Sequence, residues 1–291
     1  MTNTHRFAVV GRNIGYTCSP RIFHAIFAHC GEAGEFGVSD VEETDLAATI
    51  ERLTLDGVTG LSVTVPYKTS VLKYLHEVDP EARALEAVNS IMLRDRRLIG
   101  FNTDHLGFSL PLMPFTAQLE QGRVLVIGCG GAARAIVYSL HKNFEISRVT
   151  VVGRQESKLA VFKSHMESQF QGLHITAARF DTLNGLLQTG YDLVVNCTPL
   201  AGANHDDMPV FREGVRLDNT SFYYDLNYNE NNRMIEAARR HGVTAIDGSM
   251  MLVGQAVKSF EIWTGQKVPV MPIHDEVFGS RRSDLYDDKS I

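Results

Sequence analysis

Two residues able to move a proton and one turn able to hold phosphates stand out along the chain. Lys68 ends the run Leu61-Ser62-Val63-Thr64-Val65-Pro66-Tyr67-Lys68, where alternation predicts a strand over Leu61 to Val65 that Pro66 terminates. A lysine just past a strand tip is rigidly mounted for proton donation, and it is equally a solvated cap on the helix expected over Thr69 to His76. Asp104 closes Asn102-Thr103-Asp104, a strong helix-start signal, so capping competes with any chemical role. Thr17 and Ser19 stand two apart in the polar loop Gly11 to Pro20. In an extended loop their hydroxyls both face one way, toward a carboxylate, while Ser19 before Pro20 also reads as an ordinary helix N-cap.

The phosphate turn lies in Arg123 to Tyr138. A short β-branched run stops at Gly128-Cys129-Gly130-Gly131 and gives way, from Ala132 and Ala133, to apolar residues at helical spacing. Glycines let the backbone turn sharply and approach a pyrophosphate, and the N–H groups that open the helix face it with the positive end of the dipole. The second strand of this half, Val149 to Val152, ends at Gly153-Arg154-Gln155-Glu156-Ser157-Lys158. A carboxylate at that strand end accepts ribose hydroxyls in NAD sites, whereas arginine accommodates a 2′-phosphate. Arg154 and Lys158 point to NADP, with the carboxylate of Glu156 close by; surface charges on a loop are the plain alternative. Tyr191 to Pro199 reads as a later buried strand whose exit carries Thr198 to the carboxyl edge of the sheet, where such folds bind their ligands.

Positioning these groups takes a full α/β scaffold. The 291 residues suffice for two modest domains, and 44% hydrophobic with 21% charged residues is ordinary for a globular chain. A net charge of −6 argues against a nucleic-acid surface, so an anionic ligand must be met by local cations and helix ends. The cysteines Cys18, Cys30, Cys129 and Cys197 form no C-x-x-C pair and suggest neither zinc nor a disulfide framework. No signal segment or membrane-length apolar run is present, and the cytoplasm is the expected compartment. Strands are expected at Phe7 to Val10, Phe36 to Val38, Val88 to Leu93 and Arg97 to Gly100, with helices over Arg21 to Cys30, Asp45 to Leu55 and Pro80 to Ala87. From about Gln121 strands and helices alternate as a parallel sheet requires, through Phe222 to Tyr228, a helix over Asn232 to His241 and a short last strand and turn over Gly242 to Gly248. Met250 to Thr264 then forms one long helix ending at Gly265, and Ser280 to Ile291 is a charged tail expected to fray.

Five motifs occur in one order: hydroxyl residues before Ser-Pro, Val-Thr-Val-Pro-Tyr-Lys, Ala-Val-Asn-Ser-Ile, Asn-Thr-Asp and Gly-Cys-Gly-Gly-Ala-Ala-Arg. In this the chain resembles the shikimate dehydrogenase family across nearly its whole length. The resemblance implies an N-terminal α/β substrate domain (1–109), a Rossmann-like doubly wound NADP-binding domain (110–247) and a C-terminal helical segment (248–291) packing back on the first domain. It implies NADPH-dependent reduction of 3-dehydroshikimate to shikimate, a step of chorismate and aromatic amino acid biosynthesis. Lys68 and Asp104 would be catalytic, with Thr17 and Ser19 on the substrate carboxylate. Thr64, Asn89 and Gln255 would meet ring hydroxyls, with Tyr228 at the same site. Gly128, Cys129, Gly130, Gly131, Ala132, Gly153, Arg154, Lys158, Thr198, Leu226, Gly248 and Met251 would hold the cofactor, and no metal is needed.

The chain departs from the family at Thr17, usually serine, at Gly153-Arg154-Gln155, usually Asn-Arg-Thr, at Ser249, often glycine, and in lacking a proline after Tyr228. The rival readings are a quinate or aminoshikimate dehydrogenase of the same family, and a cofactor-binding regulator without catalysis. Retention of both Lys68 and Asp104 argues against the second. The partner is a small molecule rather than nucleic acid or membrane, and a homodimer is left open.

Overall fold

The computed structural model describes residues 4–200, 217, 219–229 and 232–279, and the expected tail from Ser280 lies outside them. The described chain divides into two compact units, one running to Gly107 and resuming at Leu252, the other spanning Phe108–Met251. Among the described residues no helix is long and apolar enough to cross a membrane.

In the first unit β1 (His5–Gly11), α1 (Ser19–Cys30), β2 (Gly34–Asp40), α2 (Leu46–Leu55) and β3 (Gly60–Val63) follow each other as two parallel crossovers. After β4 (Glu77–Val78) and α3 (Pro80–Leu85), the hairpin of β5 (Ser90–Arg94) and β6 (Arg97–Phe101) joins the sheet antiparallel to β3. The spatial order is β2-β1-β3-β5-β6-β4, so this sheet is mixed. Its central strands are apolar on both faces because both are covered: Val10, Leu61, Val63, Val71, Val88 and Ile91 form part of one buried cluster. The other face receives the returning C-terminal helices. Trp263 stacks on Phe23 (5.5 Å) and packs against Phe7 (4.8 Å), and a side chain on Gly60 would collide with its indole at 2.3 Å.

Phe108–Met251 holds the end of α4 (Asp104–Ser109), then α5 (Thr116–Leu119), β7 (Val124–Ile127), α6 (Gly131–Phe144), β8 (Arg148–Gly153), α7 (Glu156–Gln169) and β9 (His174–Arg179). It continues through α8 (Leu183–Leu187), β10 (Leu193–Asn196), β11 (Phe222–Asp225), α9 (Arg233–Arg240) and β12 (Thr244–Ile246). All six strands are parallel, in the order β12-β11-β10-β7-β8-β9. The chain therefore winds outward from β7 to β9 and restarts beside β7 at β10, and right-handed crossovers send the two halves to opposite faces. This is the expected doubly wound sheet. The long C-terminal helix α10 (Ser249–Thr264) begins in this unit and continues into the first, where α11 (Val270–Phe278) also lies.

Several elements differ from expectation. Thr69 to His76 forms only a 3-10 turn at Ser70–Tyr74, because Leu75 turns extended. Ser19 is the first residue of α1 rather than its cap; Cys18 holds the cap position without a side-chain capping bond. Strand β9 and helix α11 were not foreseen: β9 alternates weakly at a sheet edge, and α11 follows Pro269 in a short apolar stretch.

Glu167, on α7, anchors β9. Its Oε1 accepts from the backbone N–H of Ile175 at 2.7 Å and from Lys163 Nζ at 3.0 Å. The Ile175 bond, helped by Lys163, holds the carboxyl below the 4.5 of a free glutamate despite burial. A lowered folded value adds stability above pH 4.5 that is lost as pH falls through the folded value. Glu167→Gln should therefore lower Tm at pH 7, and the gap to the native protein should close as calorimetric scans move below pH 4.5.

Candidate active site

The mixed sheet brings its chemistry to one end. Ser62 on β3 pairs with Ser90 on β5, and Ser90 pairs with Phe101 on β6. Because β5 runs against both neighbours, its start lies level with their ends. The segments leaving β3 toward Lys68, entering β5 at Asn89 and leaving β6 toward Asp104 thus emerge side by side. Backbone bonds fasten them: Val63 N–H donates to Asn89 O (2.8 Å), Asn89 N–H to Phe101 O (3.1 Å) and Val88 N–H to Lys68 O (2.7 Å).

Lys68 Nζ donates to Asp104 Oδ2 at 2.6 Å, with the side chains 13% and 4% exposed. The other carboxylate oxygen accepts from Asn89 Nδ2 at 3.0 Å. Asn89 is a hub: its amide also reaches Thr103 Oγ1 (2.9 Å) and Gln255 Oε1 (3.2 Å), and its Oδ1 accepts from Thr103 N–H (2.7 Å). The start of α4 is satisfied by Asn102, whose Oδ1 accepts from Asp104 N–H at 3.1 Å. The Asp104 carboxylate is thereby directed to Lys68 and Asn89 rather than to the start of its own helix. Thr103, not singled out in the sequence, links this hub to α10 through Gln255 O (3.0 Å) and Ser259 Oγ (3.1 Å). Gln255 Nε2 donates to Leu252 O at 2.8 Å, which uses one of its two hydrogens.

Thr17 and Ser19 form a separate pair. Thr17 Oγ1 donates to Ser19 Oγ at 3.0 Å and accepts from Ser19 N–H at 3.3 Å, so the Ser19 hydroxyl keeps its own hydrogen. Thr64, half-buried past the end of β3, has its methyl against Gly11, and its hydroxyl has no partner among the described residues.

In the second unit parallel register does the same work. Ile127, Val152, Asn196 and Asp225 lie level across four strands, so the residues that follow them share one edge. Gly128, Gly153, Thr198 and Leu226 come together there. Gly128 has φ +110°, and a Cβ would crowd Thr198 Cγ2 at 3.1 Å. Gly130 opens α6 with no side-chain cap, and a Cβ there would meet nothing within 4 Å. Gly131 and Ala132 are the first residues of this 14-residue helix, and N–H groups at a helix start suit a phosphate. Burial pushes the Cys129 thiol up, against the pull of Lys158 and Arg134, so it stays neutral within this turn. Arg134, the last residue of the glycine motif and given no role from the sequence, is buried with its guanidinium 6.0 Å from the centre of the Phe162 ring. Arg154 and Lys158 are exposed, with no ion pair among the described residues. Glycine turn, helix start and cations together fit a dinucleotide.

A buried carboxylate organises the other side of this edge. Asp225 accepts from Asn196 Nδ2 (3.2 Å), Tyr223 OH (2.9 Å) and both nitrogens of Asn227 (2.9 and 2.7 Å). Burial raises its pKa, and these donors pull it back. Since Asn196 must turn its amide to the carboxylate, its Oδ1 faces Thr198 and accepts both the backbone N–H (3.0 Å) and the hydroxyl (2.7 Å). Leu226 and Asn227 are held against Gly248, whose N–H donates to Asn227 O at 3.0 Å. Tyr228 is half-buried on the loop after β11, and Met251 is buried in the first turns of α10.

Comparison with known proteins gives a consistent picture. The family model for the shikimate dehydrogenase substrate binding domain matches residues 9–91. That for the saccharopine dehydrogenase NADP binding domain matches 124–246, and that for the shikimate 5′-dehydrogenase C-terminal domain 248–278. The chain is 31% identical over 288 residues to the shikimate dehydrogenase (NADP(+)) of Chlorobium chlorochromatii, covering 95% of this chain and 97% of that one. It is 32% identical over 267 residues to the protein of the same name from Symbiobacterium thermophilum, covering 90% of each. A crystal structure of a shikimate dehydrogenase in complex with NADP+ superimposes with a TM-score of 0.82 at 25% identity, over 95% of this chain and 96% of that one.

Gly248 offers a direct check on the second edge. A Cβ there would lie 2.0 Å from Leu226 O, an overlap relieved only by parting the two loops. Gly248→Ala should cost about 1–3 kcal/mol, read as a lower Tm in thermal unfolding.

Proposed function

This chain belongs to the shikimate dehydrogenase family, and we propose that it catalyses the reversible NADPH-dependent reduction of 3-dehydroshikimate to shikimate. The observation that carries this reading is the 2.6 Å pair of Lys68 and Asp104, withdrawn from water and braced by Asn89. NADPH, when bound, supplies the hydride that the carbonyl carbon receives.

The chain's own residues manage the proton and the orientation. Lys68 Nζ donates a hydrogen bond to the ketone oxygen, stabilises the developing alkoxide and passes it a proton; in the reverse direction the amine takes that proton back. Asp104 keeps the ammonium aimed and accepts from the substrate hydroxyl. Ser19, with its hydrogen unused, and Thr17 bind the carboxylate. Thr64, Asn89 and the second amide hydrogen of Gln255 meet ring hydroxyls, and Tyr228 joins the substrate site. Gly128, Cys129, Gly130, Gly131 and Ala132 receive the pyrophosphate, and Gly153, Arg154 and Lys158 the 2′-phosphorylated ribose. Thr198, Leu226, Gly248 and Met251 line the nicotinamide. In this reading residues 1–109 serve the substrate, 110–247 the cofactor, and 248–291 return α10 to the first domain. The four cysteines form no disulfide with one another, the usual state in a reducing cytoplasm, where we assign the activity.

Steady-state rates with shikimate plus NADP+ and with quinate plus NAD+ test the proposal. Turnover of shikimate with NADP+ supports it, and turnover of neither pair overturns it. Lys68→Ala should lower kcat about 10²- to 10⁴-fold with NADP+ affinity, measured by calorimetry, unchanged. Arg154→Ala should weaken NADP+ about tenfold and leave NAD+ nearly unaffected, as titrations of the two cofactors would register.

A further inference from the structure

The cation and carboxylate pattern at the end of β8 extends one strand further than the sequence motif. Gly153 pairs with Arg179, the last residue of β9, so Arg179 stands at the same edge beside the ribose-reading loop. Its Nη1 donates to Glu156 Oε1 at 2.7 Å, and its Nε donates to Asp181 Oδ2 at 3.2 Å. Glu156 opens α7 two residues after Arg154, in the region where a carboxylate would serve an unphosphorylated ribose. Arg154 and Lys158 keep their charges unpaired among the described residues.

We propose that Arg179 is a specificity-determining residue: by taking Glu156 as its counter-ion, it keeps that carboxylate from both the ribose and the two free cations, and so favours a 2′-phosphorylated dinucleotide. This rests on the NADP reading above. A 2′-phosphate brings close to two negative charges. With Arg179 present, it meets Arg154 and Lys158 beside a glutamate whose carboxylate is held by Arg179. Without Arg179, Glu156 repels it and competes for those same cations. The contribution acts through Glu156 and needs no contact between Arg179 and the ligand.

Calorimetric titration of the full chain with NADP+ and NAD+ at low salt separates the possibilities, using the native protein, Arg179→Ala, Glu156→Gln and the double variant. Arg179→Ala should weaken NADP+ about fivefold, the scale of an exposed charge pair, and leave NAD+ within about twofold. Adding Glu156→Gln should restore NADP+ affinity, because the carboxylate two residues from Arg154 is then gone. A loss that persists in the double variant means Arg179 binds the phosphate itself and overturns the proposal. Equal losses for both cofactors, or no change, overturn it as well. A native protein that does not favour NADP+ over NAD+ instead overturns the NADP reading beneath it.

Discussion

Withdrawing an ammonium and a carboxylate from water costs several kcal/mol per ion, and their attraction offsets it only when the remaining hydrogen-bonding capacity is also used. Lys68 and Asp104, 36 positions apart, meet that condition through Asn89. One oxygen of Asp104 takes the lysine, the other takes the Asn89 amide, and Asn102 relieves the carboxylate of capping α4. Asn89 reaches that position because β5 is antiparallel to β3 and β6, which sets its first residues level with their last. Much of the first unit can be understood from this demand. The sheet delivers three segment ends, and α10, pinned by Trp263 and Phe260, delivers Gln255 and Ser259.

The second unit answers a different demand with parallel strands. An anionic cofactor needs backbone N–H groups and cations at one edge, and only a parallel sheet sends every strand end the same way. There the buried Asp225 plays the organising part that Asn89 plays in the first unit. It orients Asn196, which orients Thr198, so the hydroxyl hydrogen of Thr198 is spent on Asn196 while its oxygen accepts from the Leu200 N–H. Small residues complete the edge: Gly128 and Gly248 sit where any side chain would strike a neighbouring loop.

Patterns of hydrophobicity and turn chemistry were enough to outline nearly all the strands and long helices, because burial on both faces of β1, β3, β7, β8 and β10 leaves apolar runs that Gly and Pro interrupt. They failed where the deciding contact is distant. The stretch after Lys68 has helical composition, yet it closes as a short 3-10 turn. Ser19 has the identity of a cap but stands one residue inside its helix, its backbone N–H engaged by Thr17. Edge strand β9 carries too little apolar alternation to declare itself without β8 beside it.

What the sequence by itself determined was local: the glycine turn, the strand-end lysine, the helix-start aspartate and the family those motifs identify. Each is a matter of backbone conformation or spacing within a few residues. Pairing was decided only in three dimensions. That Asp104 faces Lys68 instead of capping its helix, that Asn89 and Thr103 join them to α10, and that Arg179 claims Glu156 all follow from strand register. Register depends on how whole faces pack against one another, a constraint spread over residues that no short motif contains.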